Sequence, residues 1–349
     1  MKDLAICIPT YNRIDYLVEL MQTITSQLDD NNTNKIQICV SDNCSEIAID
    51  EPLRNLLSSY DIEYIYHRNE QNIGADRNFL KCVEIANAKY CWLIGDDDGI
   101  APGAINTMLD RIANHPDIDV FFGNRYICNR NLKISFKERW TNDKEDFCVD
   151  FNEEKEIAKY FDQLRSTTSL GYMSTLIVKK EAWDNVNESE YQEYLGTNYI
   201  QMAKYLLMLY KKGKLYRIAD YITLSRFGSD SFFSSLQQRI YVDYNGFLKI
   251  SDIFADNSTV ANSFLGIVRR HFNNVFLYAM SYTTELKDDD IVVLEKIGYT
   301  KKQIEICTTR NKAKLFLGFL MNIIKMIFTD FRLFYRTTFI TAQKVLKSS

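Results

Sequence analysis

Short apolar runs alternate with helical patterns over residues 1–110, and this alternation constrains the fold of the 349-residue chain more than any other feature. The apolar runs are short and mostly rich in β-branched or aromatic residues, which is typical of buried strands. They cover residues 4–8, 36–40, 62–66 and 90–94. Strands that alternate with helices favour a mostly parallel sheet with right-handed crossovers. The sequence therefore predicts an α/β fold, with a mostly parallel sheet flanked by helices.

Polar loops follow these predicted strands, at residues 10–13, Asp42, 72–78 and 96–98. Because the carboxyl ends of parallel strands meet at one edge of a sheet, we expect the loops to lie close together there. The last loop holds three consecutive aspartates, whose charges repel unless a cation lies among them. A divalent metal with an anionic ligand is the occupant we expect. The alternative is an acidic turn that caps the following helix.

The bulk composition excludes several classes of protein. With 46% hydrophobic residues, 25% charged residues and a formal net charge of -4, the chain is typical of a globular protein and of neither a disordered protein nor a nucleic-acid binder. Its eight cysteines contain no C-x-x-C pair, and the N-terminus has no signal-peptide pattern, so we expect reduced thiols in the cytoplasm. A glycine-rich phosphate loop is also missing, which disfavours a nucleotidyltransferase and leaves phosphate recognition to the metal.

Four motifs occur in order within residues 1–110. They are Ile8-Pro9-Thr10-Tyr11-Asn12-Arg13, Ser41-Asp42-Asn43, Asn72-Ile73-Gly74 with Arg77-Asn78, and Gly95-Asp96-Asp97-Asp98 with Pro102-Gly103. Together they resemble the family 2 glycosyltransferases of the GT-A fold, in the form found in bacterial O-antigen and surface-polysaccharide enzymes, including the abequosyltransferase-like branch. The resemblance implies a nucleotide-sugar donor, a Mn²⁺ or Mg²⁺ cofactor and transfer to a sugar hydroxyl of a lipid-linked glycan.

The resemblance also implies roles for individual residues. The expected donor-binding residues are Pro9, Thr10, Tyr11, Arg13, Asp42 at the base, Asn72, Gly74, Arg77, Asp96 at the ribose, and Arg226 at the end of the last strand. The metal is expected on Asp97 and Asp98. Gly95 replaces an acid that many relatives carry, which is why the ribose contact is assigned to the next residue.

The sequence departs from the family at the catalytic base. Most relatives have a Glu-Asp pair just before a helix that corresponds here to 199–212, but residues 196–201 contain no acid. Glu190 and Glu193 are the candidates to deprotonate the acceptor hydroxyl. Their alternative role is that of a solvated charged loop. Family members of this type are expected to invert the anomeric configuration, and the departure weakens that expectation. It also favours a second hypothesis, a catalytically idle scaffold module in a polysaccharide assembly complex.

The predicted domain organisation has two parts. Residues 1–231 form the glycosyltransferase domain, with a nucleotide-sugar half over 1–110 and an acceptor half over 111–231. Residues 129–151 have no clear period and are predicted to form a mobile acceptor-side loop, in which Trp140 either stacks on a sugar or covers the core. Helical patterns continue over 232–349.

The C-terminal end is basic and apolar. Residues 315–328 are mostly apolar, but a spanning helix needs about 20 such residues. Seven basic residues surround them with only Asp330 in opposition, namely Arg310, Lys312, Lys314, Arg332, Arg336, Lys344 and Lys347. This pattern predicts basic amphipathic helices over 310–349 that lie in the headgroup region. The alternatives are an oligomer interface and a helix buried against the glycosyltransferase domain. We thus expect a peripheral protein on the cytoplasmic face of the inner membrane.

Overall fold

The structure, a computed structural model, describes residues 1–227, 236–283 and 286–329. The described residues divide into two compact units. The first contains 1–164 and 168–227, and the second contains 165–167 together with the described residues from 236 onward. Residues 330–349 of the predicted basic segment lie outside the described residues.

The first unit is an α/β structure. Its strands are β1 (Lys2–Thr10), β2 (Ile36–Asp42), β3 (Glu63–Arg68), β4 (Ala88–Leu93), β5 (Gly99–Ile100), β6 (Val120–Cys128), β7 (Ile134–Glu138), β8 (Phe147–Asp150), β9 (Leu176–Lys179) and β10 (Lys214–Arg226). Its helices are α1 (Ile14–Thr25), α2 (Asp50–Leu57), α3 (Ala75–Glu84), α4 (Ala104–Asn114), α5 (Glu154–Gln163), α6 (Thr168–Gly171), α7 (Lys180–Asp184), α8 (Glu188–Tyr191) and α9 (Ile200–Tyr210).

One sheet contains all ten strands, in the order β3-β2-β1-β4-β9-β6-β10-β5, with β7 paired to β6 and β8 to β10. The strands β1, β2, β3 and β4 pair in parallel, as do β6 and β10, whereas β9 runs antiparallel to both of its neighbours. Every residue of β2 is buried, because helices cover both faces of a parallel sheet. The predicted mostly parallel α/β sheet is confirmed.

The register of the sheet positions the polar loops. Thr10 at the end of β1 pairs with Asp42 at the end of β2, which in turn pairs with Arg68 at the end of β3. On the other side of β1, Cys7 pairs with Leu93, so that the acidic loop begins just beyond β4. The loops that follow these strands therefore emerge at the same edge.

The region expected to be a mobile loop contains strands instead. Within residues 129–151, β7 pairs with β6 and β8 pairs with β10, so the prediction of an irregular loop is wrong for these segments. Trp140 is only 3% exposed and donates its indole N–H to the carbonyl of Gly123 at 2.6 Å. Of the two roles expected for Trp140, the structure therefore supports the second, in which the indole covers the core.

The second unit is helical in its described residues. Its helices are α10 (Leu236–Ile250), α11 (Ser258–His271), α12 (Asn274–Thr283), α13 (Asp288–Ile297), α14 (Lys301–Thr308) and α15 (Lys312–Thr329). The helical pattern predicted for this region is interrupted after His271, where α11 ends and α12 begins three residues later. Phe247 and Phe264 stack in the interior of the second unit, with their ring centroids 5.2 Å apart. Within the described ranges, no helix is both long enough and apolar enough to cross a membrane.

Candidate active site

A network of side-chain amides joins the loops that follow β2 and β3 to the first turns of α3. Ser41 donates to Asn78 Oδ1 at 2.8 Å, and Asn69 Nδ2 donates to the same oxygen at 3.0 Å. Asn43 Nδ2 donates to Asn72 Oδ1 at 2.8 Å. Asn78 also donates to the carbonyl of Ser41 at 3.1 Å, which ties α3 to the sheet edge. The network fixes the backbone around the predicted donor site.

Asp96 is held by the loop after β1. Thr10 donates its hydroxyl to Asp96 Oδ2 at 2.8 Å, and Arg13 Nη1 lies 3.3 Å from Asp96 Oδ1 and 3.4 Å from Asp97 Oδ2. Burial, together with the charge of Asp97, raises the pKa of Asp96 to about 6, although the charge of Arg13 and the hydrogen bonds from Thr10 and Arg13 lower it. The structure thus brings together four of the predicted site residues.

Asp98 is held by a different part of the chain. Its Oδ2 accepts hydrogen bonds from the hydroxyls of Tyr172 at 2.6 Å and Ser174 at 2.5 Å, and its Oδ1 accepts from the backbone N–H of Arg226 at 3.1 Å. Burial and the nearby charge of Asp97 raise the pKa of Asp98 to about 7, although these hydrogen bonds lower it. Sequence reasoning missed Tyr172 and Ser174, whose only signal is a run of small polar residues before β9.

The acidic loop presents carboxylate oxygens, the type of ligand that hard divalent cations prefer. A Cβ built on Gly95 would lie 3.1 Å from Asp97 Oδ1, 3.5 Å from Asp98 Oδ2 and 3.5 Å from Ser174 Oγ, so the missing side chain leaves a small gap faced by three oxygens. Among the described residues, no group of three or more His, Cys, Asp or Glu side chains could hold a metal ion. Two carboxylates fit a cation such as Mg²⁺, which takes its remaining ligands from water and substrate phosphates.

Arg226 lies beside the acidic loop, with a completely buried guanidinium. Its Nε donates to the carbonyl of Asp97 at 2.7 Å, its Nη2 lies 2.5 Å from Glu19 Oε2, and its Nη1 donates to the carbonyl of Arg130. The structure therefore places Arg226, which was predicted to bind the nucleotide sugar, at the site. The N–H groups of its guanidinium are directed at other protein groups.

A buried ion pair supports the ring that holds Asp98. Arg125 Nη2 lies 2.6 Å from Glu138 Oε2, and both side chains are almost completely buried. The Arg125 guanidinium lies over the rings of Tyr172, at 4.2 Å, and Trp140, at 4.9 Å. These contacts fix the position of Tyr172, whose hydroxyl donates to Asp98.

The other predicted donor residues lie around the same edge in different environments. Asp42 is fully buried, and its oxygens accept from the N–H of Ser45 at 2.9 Å and the hydroxyl of Tyr66 at 2.7 Å. Tyr11 is 41% exposed, Pro9 is buried, and Gly74 has a left-handed φ of 83° at the start of α3. The side chain of Arg77 is half exposed, 3.7 Å from Glu188.

The two candidate bases lie just before α9. Glu190 Oε2 accepts from the N–H of Asn187 at 3.0 Å, and its Oε1 lies 2.5 Å from Lys211 Nζ. The hydrogen bond from Lys211 is the main reason why the pKa of Glu190 is lowered. Glu193 lies in a short 3-10 turn, Gln192–Tyr194. Glu190 must leave its ion pair before it can accept a proton from an acceptor.

Asp76, in the first turn of α3, is a buried carboxylate that sequence reasoning missed. Its Oδ2 accepts a hydrogen bond from the N–H of Gly196 at 2.7 Å. Burial raises the pKa of Asp76, although hydrogen bonds from the N–H groups of Gly196, Asn198 and Ile200 lower it.

We expect Asp76→Ala to lower the free energy of unfolding by about 1–3 kcal/mol, because buried N–H groups lose their acceptor. Urea unfolding measures this change. A variant as stable as the wild type would mean that the start of α9 does not depend on this carboxylate.

The raised pKa values of Asp96 and Asp98 predict how stability depends on pH in the metal-free protein. A carboxyl group whose pKa is higher in the folded than in the unfolded chain stabilises the fold at low pH, and this contribution is lost as pH rises through the folded value. In EDTA, we expect stability to fall from about pH 4 to about pH 7, by on the order of 3 kcal/mol for Asp96 alone. Thermal unfolding across this range measures the slope. Stability should depend less steeply on pH in Asp98→Asn than in the wild type. An equally steep dependence would contradict the raised pKa of Asp98.

Comparisons with known proteins agree with this architecture. The family model described as Glycosyl transferase family 2 matches residues 5–170. Abequosyltransferase RfbV of Salmonella typhimurium is 31% identical over 276 residues, which cover 76% of this chain and 79% of that protein. A Campylobacter jejuni protein named GalNAc(5)-diNAcBac-PP-undecaprenol beta-1,3-glucosyltransferase is 26% identical over 255 residues, which cover 72% of this chain and 74% of that protein.

Solved structures show the same fold at low sequence identity. Staphylococcus aureus TarS 1-349 in complex with UDP matches with a TM-score of 0.61 at 13% identity, covering 91% of this chain and 87% of that one. The mannosyltransferase PcManGT of Pyrobaculum calidifontis, in complex with GDP-Man and Mn²⁺, matches with a TM-score of 0.51 at 11% identity, covering 92% and 86%. The predicted GT-A fold is confirmed.

Proposed function

Because this chain belongs to glycosyltransferase family 2, we propose that it moves a sugar from a nucleotide-sugar donor to a hydroxyl of a glycan acceptor in the synthesis of a bacterial surface polysaccharide. The observation that carries the proposal is the acidic loop at the carboxyl edge of the sheet. Two of its carboxylates, Asp96 and Asp98, are buried, and burial and the charge of Asp97 raise their pKa values, so a cationic partner would stabilise their ionised forms.

The donor binds, in this proposal, across the ends of β1, β2 and β4. Asp96 lies next to Thr10 and Arg13 and is assigned to the ribose. Asp42 is assigned to the base, with Asn72, Gly74 and Arg77 at the same loop cluster. Tyr11 offers an exposed ring next to Pro9 for stacking. Arg226 contributes by holding the backbone of Asp97 in place.

Asp97 and Asp98 would hold a divalent metal, either Mn²⁺ or Mg²⁺. When bound, the metal supplies positive charge that stabilises the departing nucleoside diphosphate. The hydroxyls of Tyr172 and Ser174 orient the Asp98 carboxylate, and Arg13 Nη1, 3.4 Å from Asp97 Oδ2, balances part of the charge of Asp97. Such supporting hydrogen bonds set the position of a ligand oxygen before the metal arrives.

A carboxylate must also accept the proton of the attacking hydroxyl, and Glu190 and Glu193 are the proposed bases. Glu190 is the weaker candidate at rest, because its ion pair with Lys211 lowers its pKa. Direct displacement by the acceptor hydroxyl would invert the anomeric configuration. We assign the acceptor to the class of lipid-linked glycans, in line with the undecaprenol named for the Campylobacter relative. This acceptor places the reaction at the cytoplasmic face of the membrane.

A screen of nucleotide sugars for slow hydrolysis tests the reaction class. UDP-, GDP-, CDP- and dTDP-sugars are incubated with the full chain in Mn²⁺, in Mg²⁺ and in EDTA, and the released diphosphate is measured. We expect one nucleotide class to be hydrolysed, and only with metal present. If the folded protein hydrolyses none of them under any condition, the result favours the idle scaffold and contradicts the proposed function.

A further inference from the structure

The outer face of α15 exposes a stripe of large apolar side chains. Five residues form it, namely Phe316 at 57% exposure, Leu317 at 60%, Leu320 at 43%, Met321 at 60% and Ile324 at 42%. They account for half of the ten large hydrophobic side chains that are exposed among the described residues. Single exposed apolar residues need no explanation, but a contiguous stripe of this kind marks an interaction surface.

The opposite face of α15 is already used for packing. Leu315 is 1% exposed, and a Cβ at Gly318 would meet the ring of Tyr278 on α12. At 3.6 residues per turn, the centre of this inner face lies about 170° from the centre of the exposed stripe. The inner contacts therefore fix the helix within the second unit and leave the stripe directed away from α12.

The charges on α15 show what kind of surface complements the stripe. Residues 310–329 contain four basic residues and no acidic residue, in a chain whose formal net charge is -4. Viewed down the helix axis, Lys312 lies about 110° from the centre of the stripe on one side. Lys314 and Lys325 lie about 90° and 110° from that centre on the other side. All three lysines are exposed. An apolar stripe flanked on both sides by lysines suits a helix that lies in the headgroup region of an anionic bilayer.

We propose that the outer face of α15, formed by Phe316, Leu317, Leu320, Met321 and Ile324, is a bilayer-binding surface selective for anionic phospholipid. A second copy of the chain complements this face less well, because a symmetric contact would bring lysines of like charge together. This proposal rests on the proposed function only for the biological purpose of the surface, which is to bring the candidate active site to a lipid-linked acceptor. Bilayer binding itself requires no catalysis.

Vesicle co-sedimentation of the full chain tests this surface. The vesicles contain phosphatidylcholine alone or equal parts of phosphatidylcholine and phosphatidylglycerol. We expect the wild type to bind the anionic vesicles and to lose binding as salt rises, because its lysines are screened. Replacing Leu317, Leu320 and Met321 together by Gln should weaken binding at least about tenfold, since each buried apolar side chain adds to the partition free energy. Lys312→Gln with Lys314→Gln should weaken binding only to anionic vesicles.

The chain offers a matched control for the triple variant. Ile47, Ile134 and Val292 are similarly exposed apolar residues on other elements, and their replacement by Gln should leave vesicle binding unchanged. Circular dichroism checks the fold of both variants. Leu320→Trp gives an independent readout, because all three native tryptophans, Trp92, Trp140 and Trp183, are buried. Its fluorescence should be quenched by brominated acyl chains in anionic vesicles.

Several outcomes would overturn the proposal. One is a wild type that binds neither kind of vesicle, and another is equal binding by the triple variant and its control. A triple variant that converts a dimer to a monomer while the wild type ignores vesicles would assign the face to a second copy. Donor hydrolysis in solution should be unchanged in the triple variant, so that failure of membrane binding and failure of the proposed function are distinguished.

Discussion

Asp98→Asn should reduce turnover by about a thousandfold or more while leaving the protein as stable as the wild type, or more stable, at pH 8. The carboxylate is buried, and its pKa of about 7 means that it is ionised at this pH against the cost of burial. An amide of the same shape removes that cost and also removes the charge that would hold the proposed metal. Loss of activity with a gain of stability is characteristic of a functional residue kept at the expense of the fold.

Initial rates with the donor found in the hydrolysis screen, together with thermal unfolding, measure both effects. Asp97→Ala should lose turnover in the same way without unfolding. Asp61→Asn is the matched control, because Asp61 is an exposed aspartate outside the acidic loop, and it should change neither quantity. An Asp98→Asn variant that is folded and fully active would refute the metal assignment.

Arg125→Met should destabilise the protein by about 3–5 kcal/mol, because it removes the guanidinium that pairs with the buried Glu138 carboxylate. Both Nε and Nη2 of Arg125 contact the same Glu138 oxygen, at 2.7 and 2.6 Å. The double variant Arg125→Met with Glu138→Leu removes both charges and should recover most of that stability. Urea unfolding of the two single variants and the double variant measures the coupling.

Activity should not recover together with stability in the double variant. The Arg125 guanidinium covers the ring of Tyr172, whose hydroxyl donates to Asp98, so that removing it loosens a support of the acidic loop. We expect a rate loss of about tenfold or more in both Arg125→Met and the double variant. If the double variant regains wild-type rates, Arg125 and Glu138 serve stability alone.

The parallel half of the sheet could be predicted because its strands are buried on both faces. Residues such as Ile38 and Trp92 belong to mostly apolar runs that end at polar loops, and this pattern is visible in the sequence itself. The strands β7 and β8 could not be predicted in the same way. They pair with the segments of β6 and β10 that β9 and β5 do not pair with, and Ile134 in β7 remains 48% exposed.

The candidate site, too, could be predicted only in part. The carboxylates of the acidic loop are local in sequence and were predicted, but their supports come from distant residues. Tyr172 and Ser174 are 74 and 76 positions from Asp98, and Glu19 is 207 positions from Arg226. No periodicity encodes such contacts. The buried Asp76 was missed for the same reason, since its partner Gly196 lies 120 positions away.

Calorimetric binding of nucleoside diphosphates tests the central claim most directly. UDP, GDP, CDP and dTDP are titrated into the wild type, Asp98→Asn and Asp61→Asn, each with Mn²⁺ and with EDTA. We predict that one diphosphate binds the wild type and the Asp61→Asn control with Mn²⁺ at least about tenfold more tightly than in EDTA. Asp98→Asn should lose this difference. Equal affinity with and without metal in the wild type, or an unchanged metal effect in Asp98→Asn, would contradict a metal-dependent donor site at the acidic loop.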